Sequence, residues 1–215
     1  MNENEEYDAL YDLHRKGEAV CTRSIHDQNK ARRRVRQTLR YFKIRFPPKS
    51  RALDVGCGLG YFAEALDYAG LSVLGIDFSR IAIDCAREAY PYVKFKCANY
   101  PEDINESFDL IWSVGFPTIN TFDTRLISDF VTNSLQRLRP NGVLVVGWHT
   151  NFSGRMSKEN WAHWDLATIR TIRKATGLRG PAIVETRCRL PNLIAIFGCL
   201  LLKKSAPIYL LRIAP

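Results

Sequence analysis

The sequence predicts an α/β fold built on a doubly wound, mostly parallel sheet with helices on both faces. Three observations predict it. Short apolar runs at Leu53–Val55, Leu71–Ile76, Phe108–Ser113 and Val143–Val146 alternate with stretches of helical period, the pattern of parallel strands joined by crossover helices. The run Leu53-Asp54-Val55-Gly56-Cys57-Gly58-Leu59-Gly60 reads as a strand that ends in an acid and enters three alternating glycines, with a helix directly behind. The second apolar run closes on Gly75-Ile76-Asp77-Phe78-Ser79, an acid about 20 residues beyond the glycines.

The elements follow in order. Residues 1–46 read as a helical N-terminal region, with Tyr7, Leu10, Tyr11 and Leu13 as a weak apolar stripe. Its second half carries Lys30, Arg32, Arg33, Arg34, Arg36, Arg40, Lys43 and Arg45 around Ala31, Val35, Leu39, Phe42 and Phe46, and Pro47-Pro48 ends it. That spacing predicts an amphipathic helix with a basic outer face, either a solvated face or a contact for an anionic substrate or RNA. Residues 50–150 form the wound core. Its first helix has Tyr61, Phe62, Ala65, Leu66 and Ala69 as its stripe and Gly70 as its stop. Ser79 caps a second helix that runs to Tyr90, Val93–Phe95 is a short strand, and Thr124–Leu138 is a helix. Residues 151–215 form a substrate-side region. A connection over 149–164 rich in Trp and His leads to a helix capped by Asp165 and stopped by Gly177. An alternating strand at Val184–Leu190, a short apolar helix within Pro191–Lys204 and a strand at Ile208–Ile213 complete the pattern.

Composition narrows the class. A chain of 215 residues fits one domain with a full core. Met1-Asn2-Glu3-Asn4-Glu5-Glu6 is acidic, unlike a secretory leader. No apolar run reaches the roughly 18 residues of a membrane span. Cys21, Cys57, Cys85, Cys97, Cys188 and Cys199 form no C-x-x-C pair and have no His at zinc-ligand spacing. We therefore expect reduced thiols, no metal and a cytoplasmic location. The net charge of +9 leaves an anionic partner open, although no ribonucleoprotein motif accompanies it.

The glycine run is where a ligand is expected. Without Cβ atoms the turn admits a close approach, and a helix N-terminus offers backbone N–H groups. A dinucleotide fingerprint is G-x-G-x-x-G. Here the spacing is D-x-G-x-G-x-G, and Tyr61 stands where the third dinucleotide glycine belongs. Asp54 would repel a pyrophosphate and suits a cation. These features disfavour a nicotinamide-dependent oxidoreductase. Asp77 suits a ribose, since both its oxygens can accept from a hydroxyl pair.

This arrangement resembles motif I of the class I (Rossmann-like) S-adenosylmethionine-dependent methyltransferases. Phe108-Asp109-Leu110-Ile111-Trp112-Ser113 is similar to their fourth strand, and Leu138-Arg139-Pro140-Asn141-Gly142 to their turn into the fifth. The resemblance implies a seven-stranded sheet with an antiparallel last strand, and S-adenosylmethionine as cofactor. It implies that Asp54, Gly56, Cys57, Gly58 and Gly60 hold the methionine end and Asp77 the ribose. Phe78 and Asn99 would flank the adenine, with Ser113 nearby. Asn99 stands where the family often has an acid. The resemblance also implies an N-terminal segment that folds over the cofactor, where Tyr7 and Tyr11 would lie.

Open parallel sheets bind ligands beyond the carboxyl ends of their strands. There Trp148, His149, Trp161 and His163 are the candidate substrate residues. His149 is the first candidate base, because imidazole titrates near neutrality. His14, His26 and Glu18 are weaker candidates, and a transfer without any base is an alternative. The expected acceptor is a small molecule, methylated on oxygen or nitrogen, with RNA or a non-catalytic cofactor-binding role as alternatives.

Overall fold

The computed structural model describes residues 3–16, 27–149, 164–183, 201 and 207–215. Helices α1 (Glu3–Arg15) and α2 (Gln28–Tyr41) precede β1 (Arg51–Val55), α3 (Tyr61–Tyr68), β2 (Ser72–Asp77), α4 (Arg80–Ala89) and β3 (Lys94–Cys97). Then come β4 (Phe108–Val114), a 3₁₀ turn at Pro117–Ile119, α5 (Thr124–Gln136), β5 (Leu138–His149), α6 (Leu166–Thr176), β6 (Arg179–Ile183) and β7 (Pro207–Ile213). The seven described strands make one sheet in the order β3-β2-β1-β4-β5-β7-β6. Strands β1 to β5 pair in parallel, while β7 lies antiparallel between β5 and β6. This is the doubly wound sheet with an antiparallel last strand that the resemblance implies.

Alternation along each strand divides the core in two. Leu53, Ile111, Leu144, Val146, Ile208 and Leu210 face α5 and α6, where Ile127, Phe130, Ile169 and Ile172 meet them. Ala52, Leu110, Trp112, Val143, Val145, Tyr209 and Leu211 face the opposite way, under Ala31, Val35, Leu66 and Ile83 of α2, α3 and α4. Both faces of the strands are apolar, as expected of a sheet covered on both sides.

Local signals act as their chemistry dictates. The Ser79 hydroxyl accepts from Ala82 N, and Asp165 accepts from Thr168 N. Gly177 ends α6 in the left-handed region at φ 69°, a conformation that glycine adopts without a steric cost. Three expectations are displaced. Helix α5 stops at Gln136, because Leu138 already pairs with Phe108 in β5. The residues read as a turn, Pro140-Asn141-Gly142, lie inside β5 beside a register shift, with Asn141 at φ 62°. The strand before β7 begins at Arg179, earlier than the expected Val184; residues 184–190 and the apolar segment 191–204, apart from residue 201, lie outside the described residues.

Helix α2 is less simply amphipathic than its spacing suggests. Asp27 caps it, and its buried side holds Ala31, Arg34, Val35 and Thr38, so one arginine of the run faces inward. Arg32 lies on the flank, where it pairs with the buried Glu64 of α3. Gln28 also donates to Glu64 and to the Tyr61 carbonyl, and accepts from the Tyr90 hydroxyl. A buried carboxylate held by a guanidinium and an amide is compensated, and it anchors α2 along α3. Among the described residues, no helix is long and apolar enough to cross a membrane, and no cluster of His, Cys, Asp and Glu could hold a metal.

Candidate cofactor site

Two acids sit side by side where β1 and β2 end. Asp54 lies in β1 opposite Gly75, and Asp77 is the last residue of β2. Both are buried, with 1% and 7% of their surface exposed. Asp77 is held by backbone: its Oδ2 accepts from Gly58 N and its Oδ1 from Ser79 N, each at 2.9 Å. Those bonds pull its pKa down, but burial outweighs them and raises it to about 6. Asp54 Oδ2 has no hydrogen-bond partner. Burial, and after it the neighbouring charge of Asp77, pushes Asp54 up to about 8. An orphaned buried carboxyl beside a second acid is costly. A ligand ammonium would relieve it.

The glycine loop shows why a cation fits here and a pyrophosphate does not. The amides of Gly56 and Cys57 both donate to the Ile76 carbonyl at 2.9 Å, and Gly60 N donates to the Cys57 carbonyl. Gly58 N is taken by Asp77. Four of the loop's five amides are therefore spent on holding the turn, which corrects the expectation that they point at the ligand. Gly56, Gly58 and Gly60 all have positive φ (72°, 49° and 83°). A Cβ at Gly56 would come within 2.7 Å of Phe116, and one at Gly60 within 2.8 Å of Phe95.

Beside the acids opens a cavity of about 360 Å³, within the range of small-molecule sites. Its wall includes Gly56, Asp77, Phe78 and Asn99, all singled out from the sequence, together with Tyr100, Glu102, Phe116 and Thr118. The last group has no motif: Phe116 arrives through a turn at Gly115 (φ 71°), and Tyr100 and Glu102 through the loop after β3. Helix α1 lies across the loop. The Tyr11 hydroxyl is 2.9 Å from where a Cβ on Gly58 would stand, Tyr7 meets Phe78 edge-on at 5.8 Å, and Asp8 accepts from the Ser79 hydroxyl. Burial first, and then Asp77, raise the Tyr11 phenol well above its usual range, so it stays a neutral hydrogen-bonding group over the glycines.

Several expected site residues fall elsewhere. Ser113 is fully buried and its hydroxyl donates to the Val55 carbonyl at 3.1 Å, tying β4 to β1 rather than reaching the cavity. Cys57 turns its thiol inward, with Sγ 3.1 Å from where a Cβ on Gly75 would be, so it packs the turn. Trp148 is 3% exposed, lies 3.9 Å from the Trp164 ring and donates from Nε1 to the Ile119 carbonyl. It is a core residue and presents no face to a substrate. His149 is the last residue of β5, opposite Pro207. Trp161, His163, His26 and Glu18 lie outside the described residues, as does the side chain of His14.

Comparison with known proteins agrees with this geometry. Residues 52–142 match the model of a methyltransferase domain. Over 124 residues the chain is 27% identical to a ubiquinone biosynthesis O-methyltransferase of Bradyrhizobium diazoefficiens, covering 55% of this chain and 44% of that protein. The chain thus matches under half the length of that curated relative. Among solved structures, a S-adenosylmethionine-dependent methyltransferase from Clostridium acetobutylicum superposes with a TM-score of 0.63 at 12% identity, covering 98% of each chain. A phosphoethanolamine N-methyltransferase of Haemonchus contortus, in complex with phosphomonomethylethanolamine and S-adenosylhomocysteine, gives 0.64 at 16% identity over 100% of this chain and 59% of that one. The domain match spans the glycine loop, both acids and the five parallel strands up to the start of β5, and the whole described sheet has the family's order. Residues 52–142 carry a methyltransferase domain, and the described fold is that of S-adenosylmethionine-dependent methyltransferase structures.

Proposed function

We propose that the protein transfers a methyl group to a small-molecule acceptor, on oxygen or nitrogen, with an aromatic hydroxyl as the first acceptor to test. The observation that carries the cofactor half is the loop with its amides spent and two buried carboxyls beside it. The acceptor half is supported by the Bradyrhizobium relative, whose name describes O-methylation in ubiquinone biosynthesis. S-adenosylmethionine supplies the activated methyl on a sulfonium. Asp54 would receive the ammonium of its methionine end, over a turn shaped by Gly56, Cys57, Gly58 and Gly60. Asp77 keeps lone pairs free for the ribose hydroxyls while its backbone bonds hold it still. Phe78 and Asn99 flank the adenine. Residues 1–46 act as a lid over the core at 50–150, and 151–215, with Trp161 and His163, form the acceptor side of one domain in a cytoplasmic enzyme.

His149, at the carboxyl end of β5, would accept the proton of the acceptor hydroxyl; the cofactor, when bound, would supply the methyl, its methyl–sulfur bond breaking as the new bond to oxygen forms and the thioether leaving. A positioned base of this kind contributes roughly 10²–10⁴-fold. We therefore expect His149→Ala to lower kcat by a factor in that range, with cofactor affinity unchanged by isothermal titration. An unaltered kcat would assign the transfer to positioning alone.

The cofactor reading is tested by thermal unfolding with S-adenosylmethionine, S-adenosylhomocysteine and NAD in parallel. A ligand at about 100 times its Kd adds roughly 2.7 kcal/mol, which for a domain of this size is about 5–10 °C. The two sulfur ligands should shift the midpoint and NAD should not. A shift with NAD alone would overturn the reading.

A further inference from the structure

The positive charge of this protein is gathered in one place. Between Gln28 and Phe46 stand eight Lys and Arg and no acid, against a net charge of +9 for the whole chain, so the remainder is close to neutral. Folding sorts these cations. Arg34 goes inward and Arg32 pairs with Glu64. Lys30, Arg33, Arg36 and Arg40 remain exposed, at offsets that place them along one stripe of α2. Their ends are ten residues apart, about 15 Å along the axis at a rise of 1.5 Å per residue. Among the described residues, none of the four enters an ion pair.

Rings that are distant in sequence lie on the flank of the same helix. Tyr68 is 69% exposed and lies under the Arg32 guanidinium, 4.0 Å from its carbon to the ring centroid. Tyr92 is 63% exposed and reaches Glu64, the partner of Arg32, at 3.5 Å. Tyr41, at the end of the helix, is half exposed.

We propose that this face binds single-stranded nucleic acid, with the arginine stripe of α2 tracking phosphates and Tyr68 and Tyr92 stacking bases. Guanidinium groups match phosphate geometry in a fork, and interleaved cations and rings are the chemistry that holds single strands with little sequence preference. The stripe itself, Lys30, Arg33, Arg36 and Arg40, carries no aliphatic side chain. This inference goes beyond the methyl-transfer reading and does not depend on which acceptor the enzyme uses.

The test is fluorescence anisotropy of the full chain with labelled single-stranded RNA and DNA of about 16 nucleotides, across a salt series. Anionic and neutral phospholipid vesicles are run in parallel by co-sedimentation. Both oligonucleotides should bind, RNA more tightly if the 2′-hydroxyl is read and equally if it is not. The triple variant Arg33→Gln/Arg36→Gln/Arg40→Gln should bind at least about tenfold more weakly. Its salt slope should be shallower by about 2, at roughly 0.7 per phosphate contact. The pair Tyr68→Ala/Tyr92→Ala should weaken binding with the slope unchanged, a separation that simple charge attraction does not produce. Midpoints of unfolding with S-adenosylhomocysteine check that each variant is folded. No binding at low salt, binding unaltered in the arginine variant, or retention by anionic vesicles without oligonucleotide binding would each overturn the proposal.

Discussion

Replacing Asp77 with alanine is expected to weaken S-adenosylmethionine binding by at least tenfold, and by up to about a hundredfold. A hydrogen-bonded contact to a charged group contributes about 1.5–3 kcal/mol, and on the proposed reading this carboxylate is the one that would contact the ribose. The same oxygens hold Gly58 N and Ser79 N, so the substitution also frees the middle of the glycine turn and the residue that caps α4. Asp77→Asn separates the two effects. Its single oxygen can keep only one of the backbone bonds, and its amide can still donate to the ribose, so its affinity should fall between wild type and alanine. Isothermal titration of the three proteins reads this order directly. Equal affinity in all three would remove Asp77 from the site.

Asp54→Asn should make the free protein more stable at alkaline pH while making it a poorer cofactor binder. The Asp54 carboxyl is pushed up to about 8 by burial and then by Asp77, and Asp77 itself to about 6. Both lie above their unfolded values, so the native state holds the extra protons. Stability from these groups is fully present in acid and is lost as pH rises from about 4, through 6, to about 8. Asparagine carries no charge into that pocket and removes the larger part of the fall. A tenfold difference in proton affinity between the folded and unfolded chain corresponds to about 1.4 kcal/mol. The variant should therefore melt several degrees higher than wild type at about pH 8.5, at roughly 2–4 °C per kcal/mol. At about pH 5 the two should nearly coincide. Cofactor binding runs the other way. If Asp54 receives the cofactor ammonium as proposed, binding needs the ionised carboxyl, so wild-type affinity should climb from about pH 6 to about pH 8, with protons released on binding. The variant should show neither trend. Calorimetry in buffers of different ionisation enthalpy measures that release, and identical melting profiles across pH would sink the argument.

Much of the frame could be read from spacing. The alternating runs, the acid at the end of β2, the cap at Ser79 and the stop at Gly177 are local signals, and they act as local chemistry requires. The site itself was legible only in part. Asp54 and Gly56 stand in the glycine run, Asp77 and Phe78 at the end of the second strand and Asn99 after the third, all in segments that resemble the family's, and apart from Asp54, which adjoins it, they line the cavity. Phe116, Tyr100 and Glu102 reach the same wall from two loops that nothing in the order of residues ties together. Ser113 and Trp148 stand at strand ends where ligands bind, but their side chains point into the core, and one residue of phase in a strand decides that. The spent amides of the glycine loop were invisible too, because their acceptor, the Ile76 carbonyl, is on the neighbouring strand. Tyr68 and Tyr92 come from α3 and the loop before β3, so the basic run alone gave no sign of them.

The antiparallel insertion of β7 has a kinetic consequence. Among the described strands, β6 reaches the sheet only by pairing with β7, and β7 is the outer neighbour of β5. The outer edge of residues 138–149 must therefore wait for a segment that follows α6 and β6 in sequence. Loop closure of that span costs entropy before any contact compensates for it. Until β7 docks, the free edge of β5 presents Val143, Leu144, Val145 and Val146, an apolar row of unpaired amides open to another chain. Refolding at high protein concentration should thus lose material to aggregation at this late step, while the β3-β2-β1-β4 half is already assembled.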